Sequence, residues 1–126
     1  MSFSDYLETK VLDHVFGGTA YTAPATLYVA LYTAAPSDSG GGTEVSGGGY
    51  ARQTIAFTTS GDTTSNTAAV EFPTATANYG TVTHVGIFDA STAGNLMAWA
   101  ALTASKTIET GDVFRIPLGD LDITLN

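Results

Sequence analysis

Cysteine is absent from the 126 residues. No disulfide can staple the fold, and no thiolate can serve as nucleophile or metal ligand. Positive charge is nearly as scarce. Four Lys and Arg face twelve Asp and Glu, for a formal charge of −8. Affinity for nucleic acid comes largely from cations that displace counterions from phosphates, so this balance argues against a nucleic-acid partner. Charge of either sign is sparse too, at 13% of residues, against about a quarter in ordinary globular domains. A surface built from Thr, Ala, Gly and Ser suits a protein packed against neighbours. Long apolar runs are also missing. None approaches the roughly 20 residues that span a bilayer, so no membrane partner is expected. The opening "MSFSDYLETKVLDHVFGG" carries early acids and no apolar h-region, which does not match a signal peptide. Synthesis and assembly in a cytoplasm are the expectation.

What is present reads as one domain over 1–126, long enough to bury a core. Residues 1–18 are expected to hold the only helix. Ser2 with Asp5 three residues on is a weak capping box, and Phe3, Leu7, Val11 and Val15 recur at spacing four on one face. Gly17 and Gly18 supply the stop. From residue 26 the period becomes two. "TLYVALYT" (26–33) places Leu27, Val29 and Leu31 on one face and Tyr28, Ala30 and Tyr32 on the other. Further strands are expected at 50–58, 68–73, 81–90, 95–103, 106–110, 112–119 and 121–126. Short links between them indicate antiparallel pairing. The fold expected is mainly β: a single antiparallel β-sandwich or squat barrel of about seven or eight strands with one N-terminal helix.

One stretch, 34–49, is long and irregular, and it holds "GGG" twice, at 40–42 and 47–49. A phosphate-binding loop would need a lysine and a hydroxyl residue after the glycines, opening a helix. Tyr50, Ala51 and Arg52 follow instead, in a strand period, and Asp38 and Glu44 would repel phosphate. A linker between domains fails because too little chain lies on either side. An extended loop or arm remains. His14 and His84 have no second ligand at metal spacing. No G-x-S-x-G elbow occurs. Asp120 and Asp122 alternate on a strand, which reads as a solvated face, and Trp99 reads as a core position of a sheet. Arg52 and Arg115 stand out among so few cations, as interface contacts or as partners of internal acids. No catalytic residue, cofactor or metal is expected.

Three blocks, "LYVALYTAAPSDSGGGTEVSGGGYARQTIAF" (27–57), "VTHVGIFDASTAGNLMAWAAL" (82–102) and "GDVFRIPLGDLDITL" (111–125), give the chain a resemblance to a family. It resembles the small virion structural proteins of tailed bacteriophages, which include tail-fibre-like and capsid decoration (cement) proteins. The resemblance implies a virion location, other virion subunits such as the major capsid protein as partners, and no catalytic residues. With a short, acidic chain free of heptads, it implies capsid decoration ahead of a tail component or a host-glycan-binding module. The loop 34–49 would then lie on a neighbouring subunit. The residues expected to meet partners are Glu44, Val45, Tyr50 and Arg52 in and after the loop, with Tyr28 and Tyr32 on the strand before it. Self-association, as a trimer, is expected from the prevalence of closed symmetry.

Overall fold

The computed structural model describes residues 1–125. Asn126, the end of the strand expected at 121–126, lies outside the described residues. The chain is mainly β with one helix, and every strand pairing is antiparallel. The sheets are open rather than closed into a barrel, and the fold is sandwich-like.

The larger sheet is built on three strands: β2 (Leu27–Ala34), β8 (Gly80–Phe88) and β9 (Leu96–Ile108). Short β1 (Ser2–Phe3) extends it beyond β9, while β3 (Thr43–Glu44) and β4 (Gln53–Ile55) both pair with the outer edge of β2. Across from it lie β5 (Phe57–Ser60), β6 (Thr63–Asn66) and β11 (Asp122–Thr124) in one small sheet. The pair β7 (Val70–Glu71) and β10 (Arg115–Ile116) forms another. Period two in β2 and β8 sorts side chains as expected. Val29 opposes Ile87 and Leu31 opposes Val85, and all four are buried in the main core with Phe72, Phe114, Ile116 and Leu121. The other face of the same strands also closes. Ala30, Tyr32, Phe88 and Leu96 form a second, smaller cluster, with Trp99 packed at its margin.

The strands differ from expectation where the chain changes sheets. The run 50–58 is two strands, since β4 joins the large sheet and β5 the small one, with the break at Ala56. The runs 95–103 and 106–110 are one strand, β9. Its register shifts between the pairs Lys106–Val82 and Ala101–His84, so the irregular stretch Leu102–Ser105 breaks the ladder without ending the strand. Strand β6 was not expected. "TTSN" has no apolar alternation, yet Gly61-Asp62 is a two-residue hairpin loop between the pair Ser60–Thr63, and Gly61 has φ 63°.

The helix α1 spans Asp5–Val15. Its cap is Ser4 rather than Ser2. The Ser4 hydroxyl accepts from the Leu7 amide and donates to the Leu96 carbonyl, which fixes the helix start to β9. Ser2 is instead drawn into β1 opposite Trp99. Gly18 has φ 73° and forms the left-handed stop. The apolar stripe is only partly covered. Leu7 packs on the core, whereas Val11 and Val15 are exposed.

Candidate functional site

The loop 34–49 does not project. Its first half crosses the outer face of the large sheet, from β2 past β8 to the far strands. There Asp38 accepts from the Trp99 indole at 2.8 Å and from the Ser2 hydroxyl at 2.9 Å, and its carbonyl accepts from the Asp5 amide at 2.8 Å. Its second half returns along the edge of β2. The Val45 amide donates to the Leu31 carbonyl at 2.9 Å, and the Tyr50 hydroxyl accepts from the Leu31 amide at 3.0 Å. The segment thus pairs an edge that would otherwise present free backbone groups. Gly48 anchors the turn between. Its φ is 61°, its carbonyl accepts from the Thr76 amide at 2.9 Å, and a Cβ there would meet the Ala77 carbonyl oxygen at 2.7 Å. Only glycine fits both the dihedral and the gap.

At the centre of this cover sits Arg52. Its Nε and Nη2 donate to the two carboxylate oxygens of Glu44, both at 2.9 Å. Its Nη1 donates to the carbonyls of Ala90 at 2.9 Å and Ala93 at 2.8 Å. The guanidinium lies over the Phe88 ring, 3.7 Å from its centroid. The Arg52 side chain is 8% exposed and that of Glu44 27%. Glu44 also accepts from the Tyr50 hydroxyl at 2.7 Å. One fork therefore ties three segments: the returning loop, the strand entrance and the turn 90–93.

The electrostatics follow from this packing. Burial pushes the Glu44 carboxyl up, but the Arg52 and Tyr50 hydrogen bonds and the Arg52 charge outweigh it, and its pKa falls below the ordinary value. Burial weakens the Arg52 charge, and Glu44 more than restores it. Tyr50 is raised by burial first and by its bond to Glu44 second. Tyr32 is pushed up to about 12, by burial and then by the Glu44 charge.

Above the fork lies an open cleft of about 630 Å³. Tyr32, Phe88 and Arg52 line it, with Asp5, Asp38 and the 40–42 glycines among the residues around it. Asp5, Glu8 and Asp38 bring carboxylate oxygens within 4.8 Å of one another. Asp5 and Glu8 occupy the first helical turn, where the helix dipole favours acids. No local pattern marks this group, because Asp38 arrives from a distant loop.

The structure brings five of the six expected contact residues together but turns them inward. Val45 and Tyr32 are buried, and Glu44, Tyr50 and Arg52 bond to one another. Within one copy, the apolar and charged side chains named here are satisfied by the chain itself. Tyr28, half-buried, lies apart at the Phe88 end of β2. Arg115 lies opposite Glu71 in the β10–β7 register. His14 Nδ1 accepts from the Tyr21 amide at 3.0 Å, and His84 Nδ1 meets the Thr83 hydroxyl at 2.8 Å beside Trp99. Asp122 bonds the Ser65 hydroxyl, while Trp99 packs on the outer cluster rather than in the main core.

A family model described as podophage GP4 fiber I protein gp80 matches residues 2–124. No curated protein matches the chain.

Proposed function

Because the chain belongs to the family described as podophage GP4 fiber I protein gp80, a family of tailed-phage virion structural proteins, we propose that it is a non-catalytic building block of a fibre-related assembly on the particle. The observation that carries this reading is the Arg52 fork. The molecule's one salt bridge among the described residues locks two surface loops over a sheet face. Such an arrangement supports a rigid, low-charge surface for contact with other virion chains. Copies associate with one another, as a trimer, and with neighbouring virion proteins, after synthesis in the host cytoplasm. No cofactor or metal takes part.

A second reading is a decoration protein on the head. It is favoured by the compact β body, which has neither heptads nor repeats. Quantitative gel staining of purified virions separates the two. A fibre part is expected at a few copies per particle. Copies in proportion to the major capsid protein would overturn the fibre reading in favour of decoration. Incubating the protein with peptidoglycan, ester and phosphate substrates tests the absence of catalysis, and turnover lost in His14→Ala or His84→Ala would overturn it.

A further inference from the structure

Two apolar features remain uncovered in a single chain. The first is a knob. Residues 11–20 include no buried residue, so the second half of α1 stands clear of the body. There Phe16 is 82% exposed, Val15 59% and Leu12 58%. Scattered apolar residues are ordinary at a surface, but a contiguous helix end of this kind is not. A helix this short is also marginal without a surface to pack on. The second feature is a pocket of about 380 Å³ at the open side of the sandwich, between the two sheets. Phe3, Leu7, Leu27, Phe57, Ile123 and Leu125 contribute to its walls. Its surface is almost wholly apolar, so the pocket offers shape and apolar contact above all.

We infer that the knob of one copy, led by Phe16, seats in this pocket of a second copy. Size is the first argument. A phenylalanine with part of a valine or leucine occupies roughly 300 Å³ at interior packing density, which suits the 380 Å³ space. Placement is the second. Leu7 forms part of the pocket wall, Val11 and Val15 continue its helical face outward, and Leu12 and Phe16 carry the apolar surface round the free end of the helix, so the knob stands close to the pocket on the same helix. Area is the third. The knob offers roughly 400 Å² per copy, so each insertion removes on the order of 500 Å² from water, and a closed ring of three removes on the order of 1,500 Å². This contact rests on the self-association proposed above and gives it a surface.

Light scattering on the purified full chain, across a range of concentrations, measures the mass. The expectation is a multiple of 12.9 kDa. Phe16→Asp on the knob, and Thr59→Trp at the pocket mouth, should each weaken association more than about tenfold, since each removes the burial of a large apolar side chain. Both positions are exposed, and thermal melting controls for folding. The chain has no cysteine. Mixing singly substituted Phe16→Cys and Thr59→Cys proteins under oxidation should therefore give a cross-linked pair that cannot arise within one copy. A monomer at every concentration overturns both this contact and the self-association. An oligomer untouched by either variant overturns the contact alone. A monomer whose Phe16→Asp variant fails to enter virions would assign the knob to a different virion chain, and that too overturns the inference.

Discussion

Arg52 holds the loop cover together through its guanidinium, which bonds Glu44 and the turn 90–93. A scarce arginine beside a glycine-rich loop could face a partner or an internal acid. The structure gives it the acid, two carbonyls and an aromatic face. Removing the guanidinium would leave Glu44 partly buried without its cation, and the carbonyls of Ala90 and Ala93 without a donor. Arg52→Ala is expected to cost about 2–4 kcal/mol of unfolding free energy, read by urea titration. Arg52→Lys keeps the charge but cannot form the two-pronged bond, so it should recover less than about half of that loss. A variant as stable as wild type would show that the fork is incidental.

Glu44 supplies a pH test at the same scale. Its folded pKa lies below the ordinary value of 4.5. A depressed carboxylate adds stability at pH above that ordinary value, and the addition is lost as pH falls through the folded pKa. Wild type should therefore exceed Glu44→Gln in melting temperature near neutrality, and the gap should shrink on acidification. A gap that stays constant with pH would assign the effect to packing rather than charge.

At the scale of elements, the segment 34–49 changes meaning. Two glycine triplets suggest a floppy tip whose removal leaves the sandwich intact. Yet Val45 sits in the main core, Glu44 holds Arg52, and Gly48 lies against Ala77. Replacing 39–48 with a two-residue turn should destabilise the protein by several kcal/mol, roughly the sum of a lost core valine, a broken ion pair and an unpaired β2 edge. Gly48→Ala alone should cost about 1–3 kcal/mol, from the left-handed dihedral and the clash with the Ala77 carbonyl. Melting curves of both variants check this, and an unchanged shortened protein would restore the projecting-arm reading. The helix teaches the reverse lesson. Its spacing-four stripe was plain, but only Leu7 finds the core, because Ser4 clamps the first turn to β9 and the rest extends beyond the sheet.

For the molecule as a whole, the large sheet and the β7–β10 pair share one buried core cluster through Val29, Ile55, Val70 and Ile116, and Phe57 of the third sheet packs against it. No sheet can lose its partner without exposing that cluster. Thermal unfolding should be a single transition with matching calorimetric and van't Hoff enthalpies. Two resolved transitions would mean that the small sheets melt independently.

The amino-acid order by itself determined the class of fold. Alternation in 27–33 and 81–88, closely spaced turn residues and the absence of a second helical period leave little besides an antiparallel β body. It also determined the helix stop at Gly18 and the poverty of charge that suits a packed surface. These are local properties, set by dihedral preference and by side chains two or four positions apart. Only the tertiary structure decided which face each contact residue serves. Glu44 and Arg52 are eight residues apart and Asp38 and Trp99 sixty-one, and no periodicity links such positions. Their meeting depends on a loop crossing one sheet face and returning along its edge. The same holds for β6, whose residues pair on both sides because strands on either flank require hydrogen bonds, whatever the apolar pattern of the sequence.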